Sequence, residues 1–453
     1  MKDKFLYVFG FLLIVVLIFA SQSNLKVYSF VIMAFFLGMV SIALTSRDLI
    51  FLLILAFFYF FPQMNRYDIL PTISDEIAVA ILLIFFFSFL SKMEFDNSYN
   101  FLWLIFSLYL VFQLFRGVQA GYDGKFILDE SVKYLLYPLG FYFTLTVFTT
   151  HRDNSKPVKL IVKFNLIMGL VIIAQMLFYY FFITNGNRVI TRQANLLLLS
   201  LMTSLTLLVY RKQNLNKKVI LILLSVLYIL GILIFMQRSL WIATLASLFS
   251  FVIIYLVKSK FKTNKVIIII LIILISFFLV TSLYKSLIQY NSMIESRVSE
   301  VQEEGSGTLS IAMRLLSFND VLRKIRQDWI FGTGIGDELV TSYLAKPVIN
   351  IVDNSYLVIL WKLGLIGFGI LTLIFGIAIF QMIYLINNSE GYSQLLAIVF
   401  LTNLFGQLVN GLACVIMILY FFNFIWVSHI AIINVLYIGQ KRQANDLKEK
   451  LKQ

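Results

Sequence analysis

The sequence has little of what soluble enzymes are built from. One cysteine in 453 residues excludes an intrachain disulfide and any cysteine-built metal site. That residue, Cys414, lies in an apolar run and reads as a small buried hydrophobe. The two histidines, His151 and His429, stand too far apart in the chain to suggest a zinc site. Charged residues make up 13% of the chain, where a soluble domain carries about 25%. Against them stand 60% hydrophobic residues and a mean hydropathy of +0.90. Water cannot solvate such a surface; a bilayer can.

Acidic residues are the scarcer sign, 23 against 37 basic, for a net charge of +14. A basic excess gathered on one polar domain would point to nucleic acid. Here the cations form short clusters between apolar runs, as the positive-inside rule produces, so no nucleic-acid partner is expected. A span needs about 20 mostly apolar residues. Predicted spans run over 5–20, 27–45, 48–62, 77–91, 100–115, 132–150, 159–184, 193–210, 218–236, 239–257, 265–283, 356–385, 393–411 and 414–437. The fold class expected is therefore all-α, a single polytopic membrane domain over 1–453 with about fourteen helices, or twelve if short spans merge. Met1 to Ala20 has a basic tip but no small-residue cleavage site, and is expected to stay as the first span. Lys2, Lys4, Arg47, Lys92, Arg152, Lys156, Lys159, Arg211, Lys212, Lys217, Lys218, the cluster Lys258 to Lys265 and the tail Lys441 to Lys452 share one side when both termini are cytoplasmic.

The opposite, outer side carries its longest piece from about Leu283 to Val352, roughly 70 residues, far beyond an ordinary connection. Within it Ile311, Leu315, Phe318, Leu322, Ile325 and Trp329 recur at spacings of four and three, which predicts an amphipathic helix on the membrane surface or capping the bundle. Arg323, Lys324 and Arg326 fall on its other face and read as solvated charge or headgroup contacts. The sequence shows no internal repeat.

Five arginines break the charge rule by falling outside, or at the outer ends of spans: Arg188, Arg192, Arg238, Arg297 and Arg314. Arg238 sits in a turn too short to reach bulk water easily, and arginine at depth costs about 2.5–3.5 kcal/mol. It either snorkels to headgroups or forks a phosphate through charge-assisted bonds. Arg188 and Arg192, four apart, share a helix face. Phe331-Gly332-Thr333-Gly334-Ile335-Gly336-Asp337 lacks the Gly-Lys-Ser/Thr ending of a nucleotide loop and reads as a tight glycine turn that brings backbone close to another group. Asp353 and Asn354 stand at the mouth of the next span, where either could cap the helix or a carboxylate could act as general base.

Met236-Gln237-Arg238-Ser239-Leu240-Trp241 resembles the S-R-G-x-W element of the O-antigen polymerase and O-antigen ligase superfamily. Arg314 with the helix after it and Phe331 to Gly336 resembles that family's R…W/F…G-x-G stretch. Asp353-Asn354-Ser355-Tyr356-Leu357 with Gly364-Leu365-Ile366-Gly367 is similar to its H/D-N-x-Y-L…G-x-x-G element, and Arg188 to Asn195 to the arginine and asparagine ahead of the preceding helix pair. The likeness is confined to about 185–370.

The resemblance implies a GT-C-like enzyme of the bacterial cytoplasmic membrane that moves glycan from undecaprenyl pyrophosphate to an acceptor hydroxyl with no cofactor or metal. Its implied partners are the lipid-linked donor and acceptor, membrane lipids, a chain-length regulator and a flippase. It assigns Asp353, Arg238 and Arg314 to catalysis, and Arg188, Arg192, Asn195, Arg297, Asn354, Tyr356 and Asp337 to substrate binding, with the outer loop 283–355 carrying part of the site. The ligase branch has a histidine where Asp353 stands, which favours a Wzy-type polymerase over a ligase. A lipid-linked oligosaccharide flippase also has twelve to fourteen spans, but works through charged residues lining a central path; the spans here are nearly free of ionisable side chains.

Overall fold

The structure, a computed structural model, describes residues 98–149, 155–178, 194–211, 213–234, 238–258, 306–340, 348–349, 354–412 and 420–450. The predicted spans 5–20, 27–45, 48–62, 77–91 and 265–283 lie outside the described residues, as do Arg188, Arg192, Arg297, Asp353, His151 and Cys414.

Each predicted span that falls among the described residues is a helix: α1 (Ser98–Gln119), α2 (Gly124–Thr149), α3 (Ser155–Phe178), α4 (Ala194–Tyr210), α5 (Leu215–Ile234) and α6 (Arg238–Lys258). The helix α7 (Ser306–Gln327) lies in the long loop, followed by α8 (Ser355–Asn388), α9 (Gly391–Asn410) and α10 (Tyr420–Lys450). A two-residue antiparallel pair, Leu339–Val340 with Val348–Ile349, is the departure from all-helical structure among the described residues. Six of these helices, α1, α5, α6, α8, α9 and α10, are long and apolar enough to cross a membrane. Phe101, Leu108 and Phe115 on α1, Leu223 on α5 and Phe249 on α6 stay exposed, a fault in water but the ordinary face of a helix toward lipid. The protein is a polytopic helical membrane protein.

Packing follows small and aromatic residues. Trp103 of α1 stacks on Phe141 of α2, centroids 4.6 Å apart. Gly140 lets α2 and α10 approach closely, since a Cβ there would stand 2.8 Å from Val427. Thr144 and Ser428 hydrogen-bond across that seam at 3.0 Å, so α2 and α10 run parallel. Polar side chains join other helices where water is absent: the Ser204 and Ser225 hydroxyls lie 2.8 Å apart, and the Asn434 amide bridges Asn100 and Gln381.

Cations collect at one end of the bundle. The Arg211 guanidinium lies 4.0 Å and the Lys159 ammonium 5.5 Å from the Tyr392 ring, and Lys258 donates to the Ile386 carbonyl. The starts of α3, α5 and α9 and the ends of α4, α6 and α8 meet there. The opposite ends of those helices therefore converge on the other side, and the candidate site is there.

The amphipathic helix forms, and the predicted stripe docks in part: Ile325 packs against the core and Phe318 is half-buried. Val321 and Ser317 are buried, whereas Leu322 is 40% and Trp329 56% exposed, Trp329 lying beyond the last turn. Lys324, expected to be solvated, instead places its ammonium 2.8 Å from the buried Asp337 carboxylate. The 317–321–324 line thus faces inward, and part of the apolar stripe faces out.

Candidate functional site

The glycine turn explains the local geometry of α8. Gly364 sits in the left-handed region at φ 63°, so the helix is broken into an upper half, Ser355 to Leu363, and a lower half. A break strands carbonyls above it and amides below it, and polar backbone at membrane depth has to be satisfied by protein. The loop after α7 does this. Thr333 and Gly334 N–H donate to the Trp361 and Lys362 carbonyls at 2.8 and 3.2 Å; Leu365 and Ile366 N–H donate to the Trp329 and Ile330 carbonyls at 2.9 and 3.1 Å. The two backbones pass too close for side chains: a Cβ on Gly332 would overlap the Gly364 nitrogen and stand 2.6 Å from the Lys362 carbonyl oxygen, at φ 79°.

Helices α1 and α2 hold the loop from the other side. Tyr109 hydroxyl donates to the Leu363 carbonyl at 2.6 Å, Gln113 to Phe331 at 2.5 Å, and Arg116 to both Gly332 carbonyl, 2.5 Å, and Asp328 carboxylate, 2.6 Å. Beneath them is a buried charge cluster. Lys362, 0% exposed, faces Glu130, 2% exposed, at 2.8 Å, and also donates to the Asp337 carbonyl. The other Glu130 oxygen accepts from Gly336 N–H at 2.7 Å. Asp337 accepts from Lys324 at 2.8 Å and from the Trp361 indole at 2.7 Å. Burial pushes the Asp337 carboxyl up, but hydrogen bonds from Lys324, Trp361 and Thr333 outweigh it and leave it below the ordinary aspartate value.

Sequence reasoning missed Glu130 and Lys362. The view that the spans are nearly free of ionisable residues needs correcting for Lys362, which lies inside α8. The signal was present: the cost argument applied to Arg238 applies equally to a lysine within 356–385.

We expect Gly332→Ala to destabilise the protein by more than about 3 kcal/mol, combining backbone overlap with left-handed strain. Gly376→Ala in the same α8 is the control, because a Cβ there meets nothing within 4 Å; it should be neutral or stabilising by about 0.5–1 kcal/mol. Thermal melting of the two purified variants checks the pair, and equal midpoints would refute the close-approach account.

The upper half of α8 is stitched to the end of α9. Ser355 N–H and the Asn354 amide donate to the Gly411 and Leu412 carbonyls, both at 2.9 Å, and Tyr356 hydroxyl donates to Leu408 at 2.5 Å. Asn354 is also the N-cap, its side-chain oxygen accepting from Leu357 N–H at 3.0 Å, so the capping role open to either Asp353 or Asn354 is filled by the asparagine. From α4, Asn195 joins the same place: its side-chain oxygen accepts from the Asn410 amide at 2.5 Å and its carbonyl from Gln407 at 3.0 Å. Helix α6 packs antiparallel on α9: a Cβ on Gly406 would lie 2.6 Å from the Ala243 carbonyl, while Lys258 at the end of α6 reaches Ile386, just ahead of the start of α9. Arg238, the first residue of α6, is thereby placed at the level of Asn410.

The structure thus brings Asn195, Asn354 and Tyr356 together, with Arg238 heading a neighbouring helix. Arg314 lies in α7, ten residues ahead of Lys324. Asp337 is engaged by Lys324 and Trp361. His429 is buried in α10 against the Phe400 ring, centroids 3.9 Å apart. Gln407 and Asn410 were not read from the sequence as site residues.

A family model described as O-antigen ligase matches residues 223–372, from within α5 through α6, α7 and the glycine turn to just beyond the break in α8. The match bears out the resemblance to the O-antigen polymerase and ligase superfamily. No curated protein matches the chain.

Proposed function

We propose that this protein is a glycosyltransferase, a Wzy-type polymerase that joins undecaprenyl-pyrophosphate-linked repeat units of O antigen, capsule or exopolysaccharide at the outer face of the bacterial cytoplasmic membrane. In this reading chain 1–453 is one polytopic, GT-C-like domain of about fourteen spans. Its basic end and both termini face the cytoplasm, and the loop 283–355 contributes to an outer site. The observation that carries the reading is the convergence of the starts of α4, α6 and α8 with the end of α9, at the end away from the cation cluster.

The chemistry is a displacement at the anomeric carbon of the donor sugar. An acceptor hydroxyl attacks from the face opposite the pyrophosphate, the new glycosidic bond forms as the bond to the phosphate oxygen breaks, and configuration inverts. The acceptor proton passes to Asp353. Negative charge growing on the departing undecaprenyl pyrophosphate is met by Arg238 and Arg314, assisted by Arg188, Arg192 and Arg297; such preorganised charge is the largest contribution in this kind of catalysis. Guanidinium forks serve where other enzymes use a metal ion. Asn354 and Tyr356 shape the acceptor pocket, and Asp337 serves by fixing the loop under the upper half of α8. A pyrophosphate donor carries its own driving force, so the reaction needs no nucleotide.

The description of the matching family model favours a second reading, a ligase that transfers finished glycan to another acceptor. A deletion strain separates the two. Single lipid-linked repeat units accumulate if the protein polymerises, and full-length lipid-linked polymer accumulates if it ligates; neither accumulating would refute both.

A further inference from the structure

We infer that Asn195, Gln407 and Asn410 form a subsite for the uncharged sugar portion of the lipid-linked substrate, a role that rests on the glycan-transfer reading and names a part of the site beyond the arginines. Helix α9 carries no charged residue from Gly391 to Asn410, yet Asn403, Gln407 and Asn410 follow at spacings of four and three and so lie on one face. All three are buried. The Asn410 amide nitrogen is bonded to Asn195 while its oxygen, fully enclosed, has no hydrogen-bond partner among the described residues, and the same holds for the Asn403 oxygen. Such buried acceptors call for a partner. The Ser247 hydroxyl of α6, which a Cβ on Gly406 would overlap, is a third such group on the same seam.

The seam ends beside Asn354, because Asn410 is followed by Gly411 and Leu412, whose carbonyls accept from Ser355 and Asn354. Its chemistry differs from that of the arginines. Carboxamides and a hydroxyl both donate and accept without charge, which suits sugar hydroxyl and acetamido groups and gives nothing to a pyrophosphate that the arginines do not give better. The site is thereby divided: cations for the leaving group, amides for the sugar. Gln407 and Asn410 lie outside the matched segment 223–372.

The test is equilibrium binding to the purified full-length protein in nanodiscs, with two probes: undecaprenyl pyrophosphate, and the lipid-linked repeat unit isolated from the deletion strain. Wild type should bind the sugar-bearing lipid at least about tenfold more tightly. Asn410→Leu and Gln407→Met, both near their original volumes, should bring that ratio close to one while binding of the sugar-free lipid changes less than about twofold. Melting midpoints show whether each variant folds, and either one suffices. A ratio kept in a folded variant, or wild type binding both lipids equally, overturns the subsite while leaving the pyrophosphate site standing. Wild type binding neither lipid overturns the glycan-transfer reading and this inference with it.

Discussion

Arg238→Ala and Arg314→Ala are each expected to abolish polymer while the protein reaches the membrane at its normal level. Removing one preorganised donor from a site of developing negative charge lowers rates by about 10²–10³, enough to empty a glycan ladder read on a gel from a complemented deletion strain. Arg238 is the first residue of α6 and Arg314 stands in the third turn of α7; the amount of protein in the membrane fraction, read beside the ladder, separates lost catalysis from lost folding. Arg238→Lys keeps the charge and loses the planar fork that matches a phosphate, so it should restore only short chains. Glycan of wild-type length from both alanine variants would remove the arginine mechanism.

Lys362→Met is expected to act on the fold first. It leaves Glu130 buried with its charge uncompensated, and breaking a pair of this kind costs about 3–5 kcal/mol. The double variant Glu130→Gln with Lys362→Met should recover most of that loss, because a neutral amide keeps an acceptor for Gly336 N–H and no charge is stranded. Thermal melting of the single and double variants decides it; a single variant as stable as wild type would show that the pair does not hold the loop. The functional consequence follows from the break at Gly364. Two turns separate Lys362 from Ser355, so the clamp on Lys362 aims the upper half of α8, and with it Asn354 and Tyr356.

Spans were legible in the sequence because hydrophobic runs near the bilayer's width have one cheap solution, a helix. Thus 193–210 became Ala194–Tyr210 and 239–257 became Arg238–Lys258. Legible too was the glycine turn: three glycines in six residues imply backbone approaching backbone, and Gly332 meets Gly364. What it would meet was not legible, since nothing in Trp361-Lys362-Leu363-Gly364 says that the helix breaks there. The docking side of α7 was legible only in part for a related reason. Periodicity counts apolar residues and gives no sign that Lys324 pairs with Asp337. Likewise no sequence motif singles out Gln407 and Asn410; only the fold puts them beside Asn195.

The central claim is that the end of the bundle formed by the starts of α4, α6 and α8 holds a lipid pyrophosphate. The most direct measurement is a cryo-electron microscopy map of the full-length protein in a nanodisc with undecaprenyl pyrophosphate bound. The account predicts diphosphate density beside Arg238, within reach of Asn354, with the prenyl chain leaving toward the bilayer. Density for the headgroup at the opposite end, among Lys159, Arg211 and Lys258, would contradict it.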